Sequence, residues 1–175
     1  DGNWFGGVGP SDGDDASISS ESNIIFNSDA GTLALANLDG FDDLTITGGE
    51  LTVTESADLT GNVTMFSGAF GGNEAINIGG DLNIFDGEIG TSRLIGIGGI
   101  TVGDVVEIGT GAVAEIDNTV ILAGTATSTI GQNSVITGSG LLQNSDGSEV
   151  NLLNDAAIGI NFINAGVVSV ENDRT

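Results

Sequence analysis

The sequence predicts an all-β, single-domain chain wound as a parallel β-helix (a β-solenoid), with short strands joined at Gly and Asn corners. Three observations lead there. Apolar residues alternate with polar ones in runs of three or four, over and over. No helical pattern of ten residues separates any two runs, which closes the βαβ route to a parallel sheet. And certain units recur along the chain, which a wound coil needs and a set of hairpins does not.

The runs begin at 24–26 and 33–35 and continue through 44–46, 51–53, 63–65, 76–78, 82–84, 95–97, 100–102, 106–108, 113–116 and 120–122. Ile, Val and Leu dominate them, as suits a pleated, half-buried strand. The gaps hold Gly, Asn, Ser, Thr and Asp, which favour turns over helix interiors. Gly-Gly pairs at 48–49, 79–80 and 98–99 each stand between two such runs and read as one repeated corner, where Gly admits a sharp bend. A rung of ~20–25 residues gives about seven or eight rungs and an object ~35–40 Å long. A β-sandwich is the competing fold. It calls for hairpins, and the favoured Asn-Gly turn dipeptide is absent.

The C-terminal part is the most regular. Residues 141–150, 151–160 and 161–170 read "LLQNSDGSEV", "NLLNDAAIGI" and "NFINAGVVSV", so Asn144, Asn154 and Asn164 fall ten apart. Stacked on one another they would form an amide ladder inside the coil; the other reading is that Asn marks turns. The expected organisation is one domain over 1–175, with an N-terminal cap at 1–18, irregular rungs at 19–140 and ten-residue-periodic rungs at 141–170. Trp4 and Phe5 would cover the open first rung, or serve as ordinary core aromatics. After the run 167–170 only polar residues follow, which leaves an open template: either the protein continues or subunits stack end to end.

The segment "NWFGGVGPSDGDDASI" (3–18), with Asn3, Trp4, Gly6, Pro10, Gly13, Asp14, Asp15, Ala16 and Ile18, resembles the opening motif of right-handed parallel β-helix modules in bacterial surface proteins. "GLLQNSDGSEVNL" and "FINAGVVSVEN" are similar to the rungs of autotransporter passengers and large adhesins. The resemblance implies a secreted or cell-surface, elongated, non-enzymatic scaffold. It departs from autotransporters in that the given sequence shows no C-terminal membrane barrel.

Charge and residue inventory restrict function further. Two basic residues stand against 25 acidic ones, a formal net charge of -23. Nucleic acid is excluded as a partner, since phosphates find no positive footprint. Anionic membrane surfaces are disfavoured likewise, and no apolar run is long enough to insert as a helix. His, Cys, Lys and Tyr are absent, which removes the usual general base, the thiol nucleophile and Schiff-base chemistry. Paired carboxylates could still cleave a glycoside, but no pair stands out among 25 acids. The chain is therefore expected not to be an enzyme.

A metal site has the stronger claim. "DGDD" brings together Asp12, Asp14 and Asp15, and "DGFDD" brings together Asp39, Asp42 and Asp43, each set around a Gly turn. Ca²⁺ takes oxygen ligands from such flexible turns. Neither loop has the spacing of an EF-hand or of the Gly-rich calcium nonapeptide, and a solvated acidic turn is the alternative. The expected partner is a second copy, end to end, in a fibre or stalk. Host or matrix glycans are the competing partner, and binding or cleaving them the competing function. They would be met by exposed aromatics drawn from Phe26, Phe41, Phe66, Phe70 and Phe85.

Overall fold

A computed structural model describes residues 9–19, 24–40, 42–85 and 91–171. Strands make up nearly all of its regular structure, and every strand pairing is parallel. The chain winds as a single-domain β-solenoid of about 7 turns. No hairpin is needed, so the sandwich alternative falls away. Among the described residues the one helical feature is a 3-10 turn, Ser28–Ala30, capped by the Asn27 side chain, whose Oδ1 accepts from Asp29 N–H.

Each turn has three sides. The first face stacks Ile24–Phe26 on 44–46, 63–65, Leu82–Ile84, Val106–Ile108, Thr127–Ile130, Glu149–Leu152 and Val167–Val170. The second runs from 32–35 through 50–53 and 69–72 to Ser92–Gly96, Val113–Ile116, Val135–Thr137 and Ala157–Ile158. The third runs from Asp15–Ile18 through 37–40, 56–59, Ile76–Ile78, Gly99–Val102, Thr119–Leu122 and Leu141–Asn144 to Asn161–Asn164. In the first turns the three sides are not separated by breaks: the strand Leu44–Leu59 bends around two corners.

The alternation in the sequence becomes vertical files of side chains, because strand residues two apart share a face. On the first face Leu44, Val63, Leu82 and Val106 form one inward file, and Ile46, Met65, Ile84, Ile108 and Ile130 the next; all are buried. Ser128 continues the first file in the next turn, between Val106 and Val150. Its buried hydroxyl is tolerated because Oγ accepts the Val106 N–H at 2.9 Å. On the second face the fully buried Phe70 stacks between Leu51 and Leu94, and the residues two away along its own strand are Gly68 and Gly72, which leave the ring room.

Sequence and structure part at three places. Ile95 and Ile97 do not form an inward pair. Leu94 is the buried residue there, while Gly96 (φ +95°) turns the chain and leaves Ile97 87% exposed. The three Gly-Gly pairs are not one repeated corner. Gly48-Gly49 lies between the first and second faces, Gly98-Gly99 between the second and third, and Gly79-Gly80 between the third and the first. What they share is crowding. A Cβ on Gly49 (φ +76°) would stand 2.6 Å from Gly31 O and 2.8 Å from the Phe26 ring. Third, ten residues is half a turn in the C-terminal part, since Asn144 lies beside Asn164 of the next turn.

Candidate functional site

Trp4, Phe5 and Phe41 lie outside the described residues. The six aspartates of the two acidic loops are all described, and the fold uses most of them as hydrogen-bond acceptors. Asp12 Oδ1 takes the Ala34 N–H at 2.9 Å, tying the start of the coil to its second turn. Asp14 Oδ2 accepts from Ser11 N–H at 2.9 Å. Asp15 Oδ1 accepts from Asn37 Nδ2 at 2.7 Å, and Asn37 Oδ1 in turn accepts the Ser56 hydroxyl at 2.7 Å. Asp42 Oδ1 accepts from Asp43 N–H, and Asp43 Oδ1 from Asn62 N–H at 2.9 Å. Asp39 faces outward in register with Asp58 of the next turn. Among the described residues no group of three or more carboxylates is placed to hold a metal ion.

Asp43 belongs to a larger device. Between the third and first faces, Asn62 Oδ1 accepts the Asp81 N–H at 2.8 Å and Asp81 Oδ1 accepts the Val105 N–H at 3.1 Å. Asp43, Asn62 and Asp81 thus climb one corner, each side chain satisfying a backbone donor of the following turn. The signal was in the sequence. All three immediately precede a strand that starts with Leu or Val, and they are spaced 19 residues apart. A second stack occupies the corner between the first and second faces. Gly111, Asn133 and Asp155 all have positive φ (75°, 57° and 58°). The turns holding them are closed by Ala112 N–H to Gly109 O, Ser134 N–H to Gly131 O and Ala156 N–H to Leu153 O. Only Gly, Asn and Asp adopt that conformation readily.

Of the three asparagines ten apart, the structure brings two together. Asn144, fully buried, donates from Nδ2 to Asn164 Oδ1 at 2.7 Å and to Val167 O at 3.1 Å. They end the inward file that runs Ile18, Gly40, Leu59, Ile78, Val102 and Leu122 on the third face. Asn154 stands in the stacked turn on another corner, where its carbonyl accepts from Asn133 N–H.

Arg93 carries the single positive side chain among the described residues. Its Nε meets Glu115 Oε2 at 2.9 Å, in register on the next turn, and Nη2 lies 3.6 Å from Asp117 Oδ2. Asp117 also accepts from the Ser139 backbone N–H and hydroxyl. Those two bonds, the backbone one foremost, hold its carboxyl below the ordinary carboxylate range; partial burial opposes them, and Arg93 assists. The cluster pins three successive turns to one another.

The outer surface of the first face carries a file of side chains in register. Thr45, Thr64, Asn83, Glu107 and Thr129 form one outward file. Two residues on along each strand lie Thr47, Phe66, Phe85 and Gly109. The Phe66 and Phe85 rings pair at 5.8 Å between centroids, tilted by 35°, with Phe66 exposed. Phe26 and Phe70, by contrast, are core residues.

No protein-family model, no curated protein and no solved structure matches this chain. Among the described residues no helix is long and apolar enough to cross a membrane.

Proposed function

We propose that this chain is a non-enzymatic structural module of a bacterial cell surface, an adhesin or stalk segment that associates end to end with further copies. The supporting observation is the last described turn. Ile158, Phe162 and Val168 point into the coil yet are only half-buried, and Val170 is 60% exposed. The backbone of the strands Ala157–Ile158, Asn161–Asn164 and Val167–Val170 has no strand on its far side among the described residues. A further turn stacked there, whether from a longer chain or from a second copy, would bury those side chains and extend the ladder. The residue inventory supports the non-enzymatic part, since the side chains best suited to proton transfer and nucleophilic attack are missing. The surface location rests on the resemblance of residues 3–18 and of the C-terminal rungs to adhesin modules.

Charge sets the conditions. Copies carrying -23 each repel, and divalent ions such as Ca²⁺ would relieve that repulsion by bridging carboxylates. Sedimentation and light scattering in Ca²⁺ and in chelator test the reading. Particles well above the 17.4 kDa of one chain, growing with calcium, are expected. A monomer under both conditions, with an unchanged melting point, would sink self-association and the calcium role together.

A further inference from the structure

We infer that the Phe66–Phe85 shelf on the outer surface of the first face binds a neutral glycan. This deepens the surface-module reading by giving the module a ligand class; binding is read on the chain in any state of association, so each idea can fail alone. Four observations carry it.

The rings are presented on the outside. Phe26 and Phe70 show what this fold does with a phenylalanine it needs for its core: exposures of 8% and 0%. Phe66 is 38% exposed, and it follows the buried Met65 in the outward phase of the strand. Phe85 stands in the same phase one turn on, after the buried Ile84.

The shelf is also seated. Phe85 lies against Gly109 of the following turn, where a Cβ would come within 2.6 Å of its Cδ1. Gly109 does not have the positive φ that would itself demand glycine, so what the glycine makes room for is the ring. Phe66 stacks on the other side of Phe85. The two rings make one tilted apolar surface running along the coil axis, parallel to the files of side chains.

Polar groups border the shelf. Thr64 and Asn83 precede the two rings by two residues each, face the same way and lie in register with one another, and Glu107 extends their file. A hydroxyl, an amide and a carboxylate supply donors and acceptors to sugar hydroxyls, while the aromatic faces take the sugar's C–H face. Finally, charge selects among glycans. A surface of net charge -23 with a glutamate in the file repels uronates and sulfates.

The test is titration of the intact chain, followed by NMR and calorimetry, with neutral hexasaccharides (cello-, malto-, manno- and chitohexaose) and with hexagalacturonate as the acidic comparator. At least one neutral hexasaccharide is expected to bind, shifting the resonances of Thr64, Phe66, Asn83 and Phe85. Phe66→Ala and the conservative Phe85→Leu should each weaken binding about tenfold or more, with melting curves that stay close to the parent. Gly109→Ala should weaken it too, by displacing the Phe85 ring. Binding by none of the neutral sugars, binding that survives both phenylalanine variants, or a preference for hexagalacturonate would each overturn the inference.

Discussion

A single side chain shows how this chain trades stability for definition. Asn144 occupies a file in which Leu59, Ile78, Val102 and Leu122 precede it in successive turns. Its Nδ2 is well used, but its buried Oδ1 has no partner, since the register neighbour on that side is Leu122. A buried, unpaired carbonyl costs about 1–3 kcal/mol, whereas each bond given up is worth about 0.5–1.5 kcal/mol, and both acceptors lie on exposed residues where water can replace the amide. The balance predicts that Asn144→Leu raises the unfolding free energy by roughly 1 kcal/mol in denaturant titration, the leucine prolonging the apolar file. A loss of stability would show that the amide pair contributes more than this accounting grants it. The same residue marks how far the sequence could be read. The ten-residue spacing of Asn144, Asn154 and Asn164 was visible, but the length of a turn was not. Only Asn144 and Asn164 sit one turn apart, and Asn154 serves a stacked turn on a different corner.

At the level of elements, the strands were legible and the corners were not. Alternation placed nearly every inward residue because a pleat has a fixed period of two. It failed at Ile97, where Gly96 breaks the phase. Turn length varies between 18 and 24 residues, and that irregularity made the three Gly-Gly pairs look equivalent; the two corner stacks are evenly spaced, but their members are polar residues and glycine, which apolar alternation does not pick out. The corner of Asp43, Asn62 and Asp81 offers a sharp check. Its members alternate carboxylate, amide, carboxylate, which keeps like charges from adjacent turns. Asn62→Ala removes the acceptor for Asp81 N–H and should cost about 1 kcal/mol at any salt concentration. Asn62→Asp keeps an acceptor but sets three carboxylates in line. Its loss should be recovered as NaCl is raised. Urea titrations of both variants at low and high salt tell the effects apart; identical salt responses would show that the alternation has no electrostatic role.

For the whole molecule, the charge is one-sided: 25 acidic residues against 2 basic ones. Arg93 sits between Ala69 and Glu115 and serves two carboxylates, while Asp39 and Asp58 face outward side by side with like charge. The melting temperature should therefore climb steadily from about 10 mM to 0.5 M NaCl as the screening length shortens from ~30 Å to a few Å. A flat or falling curve would mean that the turns hold the carboxylates far enough apart to ignore one another. The charge is plain from the residues alone but its arrangement is not, because which acids become neighbours depends on the unequal turn lengths.

The stacking of every strand on its equivalent one turn away has a mechanical corollary. All the ladder hydrogen bonds point along the long axis of the coil, so a force applied between its two ends loads them in series. Layers would then peel off singly. Each released turn of about 22 residues would pay out some 70–80 Å of slack chain, like line running from a reel, while the layers still wound keep their shape. A load applied across the coil would instead be shared by many rungs at once. Such an object is compliant to a pull and stiff to a push from the side, and its extension under tension advances in steps of one turn.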